Sequence, residues 1–164
     1  MNYELDVVQI RLVKEAPWYS EAPVTNCDEI AKLMIKEFGD YDREVLCILN
    51  LATDGKIINA NVVSVGTINA TLVSPREIFK SSILSNAASI IAVHNHPSGN
   101  VKPSKTDKLE TQRLREAGEL LDIELLDHII IGGRDDNYFS FRTENMLGTD
   151  YRKQYRDELI AQYR

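Results

Sequence analysis

Apolar positions along the chain fall into two periods. Ala87–Val93 is a short, β-branched run of the kind found in buried strands, and Glu44–Leu51 and Ile123–Ile131 read the same way. Asp54-Gly55 is a hairpin signal, and Ile57–Val65 is the strand that returns from it. Between these runs the spacing becomes helical. Ile30, Leu33, Met34 and Phe38 predict a helix over Cys27–Phe38, with Asn26 as its cap and Glu29 at the third position. Ser74-Pro75-Arg76-Glu77 starts another, expected to bury Ile78, Phe79, Ile83 and Leu84. Pro103-Ser104-Lys105-Thr106-Asp107 opens a third, whose stripe of Asp107, Thr111, Leu114, Gly118 and Leu121 should face inward.

The ends of the chain are read more coarsely. Residues 4–13 alternate, with Val8, Ile10 and Leu12 on one side, and predict a first strand; residues 16–23 form a loop bounded by prolines. Tyr138–Phe141 predicts a last short strand after the Gly132-Gly133 turn. From Thr149, Tyr151, Tyr155, Leu159 and Tyr163 recur every four residues and predict an amphipathic helix docking on the domain or on a partner. Strands mixed with helices, and no repeat or linker, indicate a single α/β domain over residues 1–148, with a central mixed sheet flanked by helices. Residues 149–164 form a helical tail.

The strand ending at Val93 runs into His94-Asn95-His96-Pro97-Ser98-Gly99-Asn100. Side chains at i and i+2 of an extended chain share a face, so His94 and His96 should point together and Asn95 away. Pro97 ends the strand and Ser98–Asn100 reads as a turn. Asp107, at the head of the buried helical stripe, is the nearest candidate third ligand, because a buried carboxylate needs a partner or a metal. Two histidines and an aspartate leave one tetrahedral zinc position open, the arrangement of a catalytic site. The spacing has plainer readings as well. Ser104-x-x-Asp107 fits a helix cap with an acidic third residue, and a strand-end histidine pair can simply be hydrogen-bonded. Asn95 and Gly99 are assigned to shaping the loop. His128, mid-strand beside Asp127, reads as a hydrogen-bonded core histidine, with orientation of a metal ligand as the alternative.

A metal-activated water also needs a base to take its proton, and spacing alone does not name one. Glu29, Glu44 and Glu77 all lie upstream of the histidines, and Glu29 and Glu77 are accounted for as helix-start residues. Glu44 heads an apolar strand, where a carboxylate serves no packing purpose, although it also fits an exposed strand start.

His94-x-His96-Pro97-Ser98-Gly99 with Ser104-x-x-Asp107 resembles the zinc signature of the JAB/MPN-type (JAMM) metalloproteases. The wider run from Asn86-Ala87-Ala88 to His128-Ile129-Ile130-Ile131-Gly132 is similar to their bacterial RadC-like branch, and the resemblance spans residues 44–147. It implies a JAB/MPN-like fold, one zinc ion per chain on His94, His96 and Asp107, and a protein or peptide substrate. It also implies Glu44 as general base, because the family's glutamate lies on such a strand well upstream of the His-x-His. Ser104 is implied as donor to the oxyanion of the tetrahedral intermediate, though the helix cap competes for the same side chain.

The reading that follows is a zinc metallopeptidase acting on a peptide or isopeptide amide. Two others stand beside it. One is a non-catalytic zinc-binding module that mediates protein interactions. The other is an accessory role in DNA repair, a label RadC-like proteins have carried; they often have an upstream helix-hairpin-helix with Gly-x-Gly hairpins, and no Gly-x-Gly occurs here. Zinc deaminases need a Cys-x-x-Cys pair and helical metalloproteases His-Glu-x-x-His, and neither occurs.

Composition narrows the picture further. A net charge of −6 disfavours a general phosphate-binding surface, and so direct binding of nucleic acid. No apolar run approaches the ~20 residues that cross a bilayer, so no membrane contact is expected. Met1–Asp6 lacks the basic start and apolar centre of a signal peptide, which points to the cytoplasm. Cys27 and Cys47 are then expected to be buried, reduced thiols.

Overall fold

A computed structural model describes residues 8–9, 11–19, 24–66, 74–133 and 136–162. Five strands form one sheet: β1 (Val45–Leu51), β2 (Ile57–Val65), β3 (Ser89–Asn95), β4 (Glu124–Gly132) and β5 (Asn137–Ser140). Their order across the sheet is β2-β1-β3-β4-β5. Only β3 and β4 run parallel. A parallel neighbour requires a crossover, and α3 (Lys105–Leu121) supplies it. The other helices are α1 (Cys27–Phe38), α2 (Pro75–Leu84) and α4 (Tyr151–Gln162). The α/β class and mixed sheet expected from the sequence are thus observed.

The alternation of strand side chains sorts the core into two layers. On one face Val45, Cys47, Leu49, Ile91, Val93, Ile129 and Ile131 pack beneath Ile30, Ala31, Met34 and Phe38 of α1. On the other, Leu46, Ile48, Ile90, Ala92 and Leu125 meet Ile78 and Phe79 of α2 and Leu114 of α3. His94 continues the series Ile90, Ala92 and so turns to the α3 side, whereas Asn95 turns to the α1 side.

Local signals set the element ends. The Asn26 side chain accepts from Glu29 N at 3.0 Å and starts α1. Gly55 takes φ +80° in the turn between β1 and β2. Gly118 lies in the last turn of α3, where the chain folds back close against it, and a Cβ there would collide with the Ile123 carbonyl oxygen.

Several expectations need correction. Among the described residues of the 4–13 stretch none is in a strand, and Val8 and Leu12 are exposed; residues 4–7 and 10 lie outside the described residues. Without a neighbouring strand, alternation alone has nothing to pair with. Ser74 starts α2 without a side-chain cap bond, while Glu77 pairs with Lys80 and Arg76. The buried side of α2 consists of Ile78, Phe79, Ser81 and Ser82, with Ser81 accepting from Asn50 in the core at 3.2 Å, so Ile83 is left exposed. Leu121 is also exposed, as the last residue of α3 before the left-handed C-cap Asp122 turns the chain away. The tail forms α4 as expected, docked through buried Tyr151 and half-buried Tyr155 while Leu159 faces outward; Tyr163 lies outside the described residues. Cys47 is buried and unpaired, and burial pushes its thiol up to about 12. Cys27 is unpaired but only half-buried. No helix among the described residues is long and apolar enough to cross a membrane.

Candidate metal centre

The site lies where β3 ends and α3 begins. β3 continues as far as Asn95, and His96 N extends the parallel ladder by donating to the Ile131 carbonyl at 2.9 Å. Pro97 then stops the strand. Gly99 N donates back to the His96 carbonyl at 2.9 Å, and Gly99 takes φ +77°, a conformation that glycine adopts without strain. The i, i+2 geometry brings the two imidazoles together as the sequence predicts: their Nε2 atoms are 3.0 Å apart.

The α3 start brings the carboxylate. Asp107 Oδ1 lies 3.4 Å from His94 Nε2 and Oδ2 lies 3.5 Å from His96 Nε2. One nitrogen from each histidine and one Asp107 oxygen all fall within 4.8 Å of one another. Asp107 also closes a full capping box. Ser104 Oγ accepts from Asp107 N at 3.1 Å, and Asp107 Oδ2 accepts from Ser104 N at 2.7 Å. Asp107 therefore serves both the cap and the cluster. The Ser104 cap uses an oxygen lone pair, so it does not consume the hydroxyl proton.

The electrostatics suit a cation. Burial pushes the Asp107 carboxyl up, but the hydrogen bonds of His94 and His96 outweigh it and hold the group well below the usual carboxylate range. The hydrogen bond to Asp107 raises His96 most; burial opposes it, and the Asn100 carbonyl and the Glu44 charge add smaller raising effects. His96 Nδ1 lies 2.6 Å from the Asn100 carbonyl, which can only accept, so Nδ1 carries a proton and Nε2 is the nitrogen turned to the cluster. Two imidazole nitrogens and one carboxylate oxygen are the donor set of an open zinc site. The residues present fit that metal.

Glu44 precedes β1 rather than lying inside it. The β1–β3 pairing ends at Leu46 and His94, and the Glu44 charge, two residues upstream, is close enough to raise His96. Asn95 holds this approach: Oδ1 accepts from Val45 N at 2.6 Å and Nδ2 donates to the Arg43 carbonyl at 3.1 Å. Sequence reasoning gave Asn95 only a loop-shaping role and missed this clasp. The available signal was a carboxamide in an otherwise apolar strand.

His128 is buried, and its Nε2 lies 2.8 Å from His94 Nδ1. Its Nδ1 lies 2.7 Å from Thr111 Oγ1, and Phe141 stacks on the ring at 5.2 Å. It is thus a hydrogen-bonded core histidine whose partner is one of the cluster residues. Thr111 was read only as part of the inward stripe; a hydroxyl one turn beyond Asp107 was its signal.

Known proteins resemble this chain over most of its length. The RadC-like JAB domain model matches residues 24–146, which takes in α1 as well as the region around the histidines. A UPF0758 protein of Chlorobaculum tepidum is 45% identical over 124 residues, covering 76% of this chain and 55% of that protein. One from Clostridium perfringens is 41% identical over 128 residues, covering 78% and 56%. Another from Thermotoga maritima is 45% identical over 106 residues, covering 65% and 47%. The chain spans about half the length of the curated relatives it matches. With three quarters of its residues matched by the family model, the chain belongs to the RadC-like JAB domain family.

Proposed function

We propose that the chain is a zinc-dependent metallopeptidase that hydrolyses a peptide or isopeptide amide. The observation that carries this reading is the convergence of His94, His96 and Asp107 at the mouth of the β3–α3 crossover, with the Glu44 charge acting on His96. A zinc ion held by these three side chains would supply Lewis acidity and make water a usable nucleophile near neutral pH. The chain's own residues then divide the remaining work. Glu44 takes the proton from the attacking water and returns it to the departing amide nitrogen, as a general base and then acid. Ser104 keeps its hydroxyl proton while capping α3, so it donates to the oxygen on which negative charge develops. His96 is fixed by Asn100, and Asp107 by the first turn of α3, so both are oriented before any ligand arrives.

A protein or peptide substrate, a cytoplasmic location and the absence of direct nucleic-acid binding belong to the same proposal. The test is to incubate purified protein, loaded with one equivalent of zinc, with peptide and isopeptide libraries beside a chelator-treated control. Chelator-sensitive cleavage is expected, and His94→Ala, His96→Ala and Asp107→Ala should each lose both metal and cleavage. Tight zinc binding with no amide cleaved by the wild type would instead favour a JAB module that only binds proteins.

A further inference from the structure

Hydrogen bonds lead inward from His94 and end on the residue that supplies the carboxylate. Thr111 Oγ1 lies 2.7 Å from the Asp107 main-chain carbonyl and 2.7 Å from His128 Nδ1. His128 Nε2 lies 2.8 Å from His94 Nδ1. Each link has a determined direction. A carbonyl oxygen can only accept, and two oxygens at 2.7 Å repel unless a proton lies between them, so the Thr111 hydroxyl donates to Asp107. A hydroxyl has one proton, so Thr111 must accept from His128 Nδ1–H. Among the described residues neither ring nitrogen of His128 contacts a carboxylate, and the ring is buried, so a charged imidazolium there would lack compensation. A neutral His128 with its proton on Nδ1 offers a lone pair at Nε2, and His94 Nδ1–H donates to it.

We propose that Thr111 and His128 form a directed relay, anchored on the Asp107 carbonyl, that holds His94 as its Nδ1–H tautomer and keeps the His94 Nε2 lone pair presented to the metal. The inference rests on the metal site described under the proposed function. Thr111 and His128 are positioning residues, because both act through His94. Metal-binding histidines commonly donate their second nitrogen to a carboxylate or main-chain carbonyl. Here a second histidine takes that place, and the carbonyl sits one link further away. Reversing the chain would put a proton on His94 Nε2, where it would compete with the metal. A side chain that touches none of the three metal-facing atoms thereby sets the affinity of the site.

The test uses the full chain. Thr111→Val keeps the shape but removes the hydroxyl, so His128 can turn its proton to Nε2 and reverse the link to His94. Zinc affinity, measured by competition with a chelator of known affinity, should fall about 10- to 100-fold, the usual effect of losing such a partner. Thr111→Ser restores the hydroxyl and should restore affinity. The second readout is independent of zinc: imidazole nitrogen chemical shifts in the metal-free protein should report Nδ1–H for His94 in the wild type and in Thr111→Ser, but not in Thr111→Val. An Nε2–H tautomer in the metal-free wild type, or undiminished zinc affinity in a folded Thr111→Val, overturns the relay. A wild type that binds no zinc overturns the metal site instead, and the nitrogen shifts still decide the relay.

Discussion

Asn95 and Val45 are joined by a 2.6 Å hydrogen bond from the Val45 main-chain N–H to the Asn95 carboxamide oxygen, fifty positions away in sequence. The same carboxamide donates to the Arg43 carbonyl, so it grips the chain on both sides of Glu44. Asn95→Leu leaves Val45 N–H buried without a partner, which costs about 1–3 kcal/mol. Denaturant unfolding should register that loss. Zinc content should stay at one per chain, because the histidines are held by β3 and β4, while amide hydrolysis should fall because Glu44 loses its footing. Unchanged hydrolysis in the folded variant would mean that Asn95 supports β1 alone.

Glu44→Gln tests the proposed base. The amide keeps the shape of the side chain but accepts no proton from water, so hydrolysis should drop by at least about 10²-fold, the scale of losing a general base. Zinc content and thermal midpoint should remain near those of the wild type. Glu77, which bonds to Lys80 on the outer face of α2, is the control: Glu77→Gln should leave turnover intact. The opposite pattern would move the base elsewhere.

Ser104→Asp separates two uses of one hydroxyl. Aspartate caps a helix as well as serine does, so α3 should stay folded and stability should change little. A carboxylate cannot donate to a developing oxyanion and repels it, so turnover should be abolished. If kinetics show turnover preserved, the cap is the whole role of Ser104.

Glu110 predicts a pH dependence of stability. Burial pushes its carboxyl from 4.5 up to about 7, against the opposing charge of Arg113. Its Oε1 is buried with no hydrogen-bond partner among the described residues. Between these values the folded state binds more protons than the unfolded state, so this group makes stability fall as pH rises from about 4.5 to 7 and level off above. The full cost is about 3 kcal/mol, from 1.36 kcal/mol per pKa unit. Glu110→Gln cannot ionise, so it should be more stable than the wild type at pH 8 and converge with it near pH 4. Parallel unfolding curves at the two pH values would remove Glu110 as the source.

The parts of the site that sequence reveals are those set by local periodicity. His94 and His96 share a face because a strand repeats every two residues, and Asp107 faces inward because a helix repeats every 3.6. Ser104 and Asp107 close their box across one turn. The rest depends on which strands become neighbours. His128 meets His94 only because β3 and β4 pair in parallel with Ala92 opposite His128, a register no local pattern encodes. Asn95 reaches Val45 only through the β1–β3 pairing. Ile83, Leu121 and Leu159 follow helical spacing yet stay exposed, since a stripe records a helix's period and not where its supporting surface ends.

The β3–α3–β4 crossover divides the site by distance along the chain. His94 and Asp107 are separated by thirteen positions and the Asn95–Val45 contact by fifty. Closing the longer loop costs about 1 kcal/mol more entropy than closing the shorter one. The three side chains of the metal cluster therefore belong to a low-contact-order folding unit, while Glu44 arrives with the non-local pairing of β1. Sub-global opening of the β1–β2 hairpin would withdraw Glu44, the proposed base, while the cluster stayed assembled beside β3 and β4. Amide hydrogen exchange would then be faster across β1 and β2 than across β3 and β4, and the fraction of chains open at that hairpin would be metal-competent but unable to turn over.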